Sequence, residues 1–226
     1  MIWDDIGYLV SKNRYNENSV IAEIFTKNHG KISGIIFGAA SKKIRNYLQI
    51  GNRIYTNYNS KSENKIGYFK IEIDKALSPL YFDNQKKLSC LIGAMTLIKI
   101  LTAESQKNIK IFNLIESFFQ ILDTKNWIKN YIYWELDFFK IIGYDLELKN
   151  HVEKKKINNK LIYISKSSLE KKIIPNFLID KNDNSEDLKT LLNGLRLVSD
   201  YLEKTILQPN NISLPNTRLN FINTLK

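Results

Sequence analysis

Two close pairs of acids are the first residues whose spacing could do chemistry. Glu72 with Asp74, and Asp145 with Glu147, each flank a single residue, and carboxylates so placed can hold a Mg²⁺ ion for phosphodiester hydrolysis. Such pairs arise often by chance, and the plainer reading is a solvated structural role. Two histidines, His29 and His151, and one cysteine, Cys90, cannot supply the nitrogen and sulfur ligands of a zinc site. His29 precedes Gly30 in a turn and His151 sits in a charged stretch, where structural or solvated roles are expected. Cys90 falls on the apolar face of a helical run, which predicts a buried and inert thiol. Neither a Gly-x-Ser-x-Gly elbow nor the Gly-Lys-Ser/Thr of a phosphate-binding loop occurs. The expectation is a protein that binds, with no side-chain active site, no metal and no cofactor.

The basic segment Gly38-Ala39-Ala40-Ser41-Lys42-Lys43-Ile44-Arg45-Asn46-Tyr47 is more informative. It reads as a connection between strands, so Lys42, Lys43 and Arg45 can reach outward. Lysine and arginine neutralise phosphates, and a neighbouring aromatic can stack on a base. Arg14, Lys31 and Arg53 belong to the same stretch of predicted strands and would extend the patch. The competing reading is a solvated loop.

Composition agrees in sign. The 226 residues carry 34 Lys and Arg against 23 Asp and Glu, a net charge of +11, which favours polyanionic partners. Arginine occurs only at Arg14, Arg45, Arg53, Arg196 and Arg218, and the chain is rich in Asn and Ile. That profile suggests an AT-rich coding sequence, so the lysine count carries less weight than its size suggests. A single cysteine permits no intramolecular disulfide and fits a reducing, cytoplasmic setting. The acids Asp4 and Asp5 stand where a secretory signal would carry bases, and no apolar run reaches the ~18 residues of a membrane span.

These residues need elements to hold them. Ile6–Val10, Val20–Phe25, Lys31–Gly38, Asn52–Tyr58 and Ile66–Ile73 are short β-branched and aromatic runs separated by turn signals. Together they predict a five-stranded barrel the size of an OB-fold over residues 1–78. Helical spacing then predicts helices over Gln85–Thr102, Asn108–Leu122 and Trp127–Ile142, an antiparallel cluster. Residues 145–184 read as an irregular excursion with one strand-like run at Leu161–Ile164. Helical spacing returns from Ser185 to Leu207, with Ser185, Glu186 and Asp187 at its start, and a last short helix begins near Pro215. The fold class is α+β: a five-stranded OB-fold barrel followed by a helical domain over residues 79–226. The third helix places Trp127, Tyr131, Trp134, Phe138 and Ile141 on one stripe, chiefly core, with an aromatic groove for a partner peptide as the minor reading.

The ordered set of short motifs resembles RecO, the bacterial recombination-mediator family of DNA repair. The carriers are Trp3-Asp4-Asp5-Ile6-Gly7-Tyr8-Leu9-Val10, Thr26-Lys27-Asn28-His29-Gly30-Lys31, the run from Gly38 to Lys43, and Leu48-Gln49-Ile50-Gly51-Asn52. Downstream they are Trp134-Glu135-Leu136-Asp137-Phe138-Phe139-Lys140-Ile141-Ile142-Gly143-Tyr144-Asp145-Leu146, Tyr163-Ile164-Ser165 and Gly194-Leu195-Arg196-Leu197. The resemblance spans essentially the whole chain. It implies an N-terminal OB-fold and a C-terminal helical domain. It further implies binding of single- and double-stranded DNA, annealing of complementary strands, and help in loading RecA onto strands coated by single-stranded-DNA-binding protein (SSB). The implied partners are RecR and the acidic C-terminal tail of SSB, and the implied location is the cytoplasm, at the nucleoid during repair. A tail with an apolar end needs an apolar pocket rimmed by cations, and the third helix, with Trp127, Lys129, Tyr131 and Lys140, is the expected place.

Two departures stand out. Many family members carry a four-cysteine zinc site after the position of Gly143; this chain has no cysteine there, and His151 stands near the first position. The family often has a basic residue before its Phe-Glu-Leu, and here Tyr133 precedes Trp134-Glu135-Leu136. Two other functions stay open on the residues alone: an RNA-binding OB-fold protein of translation or RNA decay, and a Mg²⁺-dependent nuclease using one of the acid pairs.

Overall fold

Apolar residues alternate along the first strands and close them into a barrel in the computed structural model, which describes residues 1–62, 65–157, 160–166, 173–183 and 187–226. The strands are β1 (Ile2–Asn16), β2 (Ser19–Thr26), β3 (Gly30–Phe37), β4 (Arg53–Asn59) and β5 (Gly67–Lys75), with a short helix α1 (Lys42–Tyr47) between β3 and β4. The order around the closed barrel is β1-β2-β3-β5-β4, as expected for an OB-fold. The β3–β5 seam is parallel, with Gly34 opposite Gly67, and the other seams are antiparallel. Long β1 can belong to two seams because its register with β2 shifts after Leu9 and again after Arg14, and such bulges bend a strand. Leu9, Ile24, Ile36, Ile54, Phe69 and Ile71 fill the interior. Gly34 is required there, since a Cβ would sit 2.5 Å from the Phe69 ring.

By packing, the chain forms two compact units: residues 1–119 with 215–224, and residues 120–214 with 225–226. The first unit therefore extends past the expected boundary at residue 78. Helix α2 (Gln85–Leu101) packs against β1 and, with α6 (Asn216–Thr224), adds a helical layer to the barrel. Tyr8 of β1 stacks on Phe119 and meets Phe112 from α3 (Ile109–Leu122). Cys90 is fully buried on α2, as its spacing predicts. The buried amide of Asn52 fastens the connections: it donates to the carbonyls of Asn46 and Tyr47 and accepts from the backbone N–H groups of Leu77 and Ser78.

The second unit contains α4 (Trp127–Ile141) and α5 (Leu188–Tyr201), which pack on one another. Tyr131, Ile132, Trp134, Phe138 and Phe139 are buried, so the aromatic stripe of α4 is core. The three expected helices thus do not form one cluster: α2 belongs to the first unit and α4 to the second. Residues 145–184 hold more order than expected. Strands β6 (Val152–Ile157), β7 (Lys160–Ser165) and β8 (Ile173–Ile174) form an antiparallel sheet in that order. Val152, Tyr163 and Ile174 cover a small core with Leu148 and Ile179. The run Val-Glu-Lys-Lys-Lys-Ile shows no apolar alternation to read, and its pairing comes from β7. Helix α5 begins at Leu188, where the Asp187 carboxylate accepts the Thr190 N–H at 2.8 Å; Ser185 and Glu186 lie outside the described residues. The final helical stretch loosens into a π-helical turn over Leu202–Leu207.

Candidate nucleic-acid interface

The basic segment is a capped helix and not the expected loop. Gly38 turns the chain with φ +75°, and the Ser41 hydroxyl accepts the Ile44 N–H at 3.3 Å as N-cap. Ile44 and Tyr47 pack against the barrel interior beside buried Leu48. Helical geometry then forces Lys42, Lys43 and Arg45 onto the outer face, and all three are exposed. Lys43 lies over the Tyr47 ring, 5.9 Å from its centroid.

The β1–β2 turn joins this helix at the same end of the barrel. The Ala39 N–H donates to the Asn18 carbonyl at 3.0 Å and the Ala40 N–H to the Asn18 side chain at 3.2 Å. Exposed Arg14 sits on that hairpin, with its Nε near the Asn16 carbonyl at 3.4 Å. Lys12 contributes differently. Its ammonium donates to the Leu48 carbonyl where α1 ends, a place that favours a cation, and burial lowers its pKa.

Lys31 and Arg53, expected to extend the patch, are committed internally. Lys31 is 9% exposed, and its ammonium donates to the carbonyls of Lys99 and Thr102 at the C-terminal end of α2. Burial lowers its pKa, with Glu23 and Glu104 opposing. The Arg53 guanidinium donates to Asp74 at 2.5 Å and to Glu116 at 2.6 Å, and its side chain is 13% exposed. Phosphate binding by either would break these bonds. Asp74, one of the Glu72/Asp74 acids, is thus engaged in an ion pair, in keeping with the structural role favoured for that pair. Asp145 likewise pairs with Lys140 at 2.8 Å, and Glu147 accepts from the Asn150 amide.

One exposed aromatic beside the basic helix was not singled out by sequence reading. Phe37, 60% exposed at the end of β3, lies 6.3 Å from the Tyr68 ring. The alternation of β3 carried the signal, since Ile36 is buried and its neighbours must face out. Phe37 leads directly into Gly38 and the basic helix, so apolar and cationic surface adjoin.

In the second unit the expected partner residues separate. Tyr131 is fully buried, its hydroxyl donating to Glu135, and Lys140 is paired with Asp145. Trp127 and Lys129 line a pocket of about 220 Å³ with Lys125, Ile128, Leu188 and Leu191. Lys129 is itself tied down by the Asp183 carbonyl, which leaves exposed Lys125 as the rim cation. Tyr133, which departs from the basic residue of the resemblance, donates to the Phe177 carbonyl at 2.8 Å. Lys181 lies over its ring, 5.6 Å from the centroid. Burial, with Asp183 and Asp180 nearby, pushes the Tyr133 phenol up to about 12.

Comparison with known proteins places this geometry. The family pattern for the Recombination protein O N terminus matches residues 1–74, and that for its C terminus matches residues 84–215. DNA repair protein RecO of Rickettsia canadensis (strain McKiel) is 31% identical over 164 residues, covering 73% of this chain and 67% of that protein. The RecO proteins of Rhodospirillum centenum (strain ATCC 51521 / SW) and Caulobacter vibrioides (strain NA1000 / CB15N) are 22% and 25% identical, covering 98% and 97% of this chain and 94% and 95% of theirs. With a closed barrel, a basic capped helix at one end of it, and both family patterns matched in order, the chain belongs to the RecO family.

Proposed function

We propose that this chain binds single- and double-stranded DNA through the α1 end of its barrel and anneals complementary strands, serving recombinational DNA repair in the bacterial cytoplasm. The observation that carries the reading is the outward display of Lys42, Lys43 and Arg45 on a helix whose apolar side is anchored in the barrel, with Arg14 on the hairpin bonded to it. Annealing needs no bond chemistry, so the chain acts here as a binding protein and not as an enzyme. Cations clustered on one surface lower the repulsion between two phosphate backbones and raise their local concentration. Binding through phosphates leaves base edges free to pair.

The family relationship supports the wider role of helping to load RecA onto SSB-coated single strands, with RecR as partner. The pocket at Trp127 fits the apolar end of an acidic SSB tail, and Lys125 offers its carboxylate a counter-charge. No helix among the described residues is long and apolar enough to cross a membrane.

The test is an annealing assay with two complementary oligonucleotides, with and without SSB and in the absence of ATP. The expected result is acceleration that weakens steeply with salt. A marked preference for RNA over DNA of equal length would replace the reading with an RNA-binding one, and Mg²⁺-dependent cleavage of end-labelled DNA would replace it with a nuclease.

A further inference from the structure

A second concave site lies at the other end of the barrel from α1, where the β2–β3 turn and the described residues 60–62 and 65–66 meet residues 104–107. It is built by close backbone approach. Gly30 holds φ +74°, and a Cβ there would sit 2.0 Å from the Gln106 carbonyl oxygen. The Ser105 N–H donates to the Lys31 carbonyl at 2.8 Å, and Glu104 accepts the Ser33 N–H at 3.0 Å. The resulting cleft encloses about 810 Å³, within the usual range for sites that take a small organic group.

Its wall is aromatic. Trp3 stacks on His29 with centroids 3.9 Å apart and planes 10° apart, and on Tyr58 at 4.8 Å and 24°. Each outer ring is fixed from behind. The Tyr58 hydroxyl accepts the Gly67 N–H at 3.0 Å. His29 Nδ1 lies 3.0 Å from the Asp5 carboxylate, which also accepts the Asn28 N–H at 2.8 Å. His29 keeps 33% of its side chain exposed, so a ring system in line with the stack has a face to meet. Lys65 and Lys107 line the cleft from the two loops, and both are exposed; the Lys107 ammonium also donates to the Asn28 side-chain oxygen at 3.3 Å, and Glu104 is the acid among them, held by Ser33.

We propose that this cleft takes one unpaired nucleobase and its neighbouring phosphate from a single strand, the base stacking on the His29–Trp3 rings and the phosphate meeting Lys65 and Lys107. A fixed aromatic stack suits a flat π-system of any base. Paired bases are stacked inside a duplex and do not reach it. The cleft would therefore distinguish single strands from duplexes, while the α1 end engages the backbone of both. The inference rests on the DNA-binding reading given above.

The experiment compares the full chain with His29→Ala and with Lys65→Ala/Lys107→Ala, on a fluorescent thymine oligonucleotide and on a duplex of equal length. A bromodeoxyuridine oligonucleotide is then photo-crosslinked to the unsubstituted chain and mapped by mass spectrometry. The expected result is a loss of single-strand affinity of about five- to tenfold or more in both variants, unchanged duplex affinity, and crosslinks at Trp3 or His29. The lysine variant changes only exposed side chains, so it reports even if His29→Ala unfolds. Single-strand affinity unchanged in the lysine variant, or crosslinks confined to the α1 end, would overturn the cleft and leave the DNA-binding reading standing. Failure of the unsubstituted chain to bind either DNA would overturn both.

Discussion

The Lys31 ammonium lies 2.6 Å from the Thr102 carbonyl oxygen, just past the last turn of α2. A cation on the barrel thus satisfies the orphan carbonyls of a helix and is not offered to phosphate. Lys31→Ala is expected to destabilise the chain by about 1–3 kcal/mol, since buried carbonyls lose a charged donor. DNA affinity, measured where the variant remains folded, should not change. Urea unfolding alongside a binding titration checks both halves, and a large affinity loss in the folded variant would return Lys31 to the interface.

Lys42, Lys43 and Arg45 should behave in the opposite way. Their combined change to Glu should leave stability nearly intact, because all three are exposed. DNA affinity should fall, and the slope of log affinity against log salt should become shallower by about 2–3, close to one unit for each phosphate no longer neutralised. Fluorescence anisotropy at several salt concentrations reads this directly. Unchanged affinity and slope would mean that DNA is held elsewhere.

Trp127 separates the two roles of α4. Its indole lines the small pocket, whereas Trp134 is 2% exposed. Trp127→Ala should weaken binding of an acidic peptide with an apolar C-terminal residue by about tenfold, the scale of a buried aromatic anchor. Trp134→Ala should instead lower the melting temperature, at about 3–5 kcal/mol for an emptied core position. Calorimetric peptide titration distinguishes them, and equal peptide affinity of the Trp127 variant and the parent chain would remove the pocket from consideration.

Tyr133 adds a pH dependence at the alkaline end. Its phenol is pushed from 10.0 up to about 12 by burial in the folded chain. Between those values the unfolded phenol ionises and the folded one does not, so unfolding is favoured as pH rises. Stability should be fully present below about pH 10 and decline through the window to 12. Tyr133→Phe should flatten that decline, although it also loses the bond to the Phe177 carbonyl. Urea midpoints at successive pH values for both proteins give the comparison; identical slopes would exclude Tyr133 as the source.

The sequence by itself determined the existence and order of the five barrel strands, though β1 runs Ile2–Asn16 where only Ile6–Val10 was legible, and also the spans of α2, α3 and α4 and the burial of Cys90, because each depends on local periodicity. It also singled out Lys42, Lys43 and Arg45, whose exposure follows from Ile44 and Tyr47 packing inward a residue or two away. Pairing with distant groups lay beyond it. Lys31 meets Thr102 across 71 positions and Arg53 meets Glu116 across 63, and nothing local distinguishes a cation bound for a carbonyl or carboxylate from one left in water. The sheet of β6, β7 and β8 escaped for the same reason, since a lysine-rich strand becomes a strand through its partner. Tertiary structure alone decided that Trp3, His29 and Tyr58 form one stack. Barrel closure brings together the start of β1, the β2–β3 turn and the end of β4, and no spacing along the chain records that meeting.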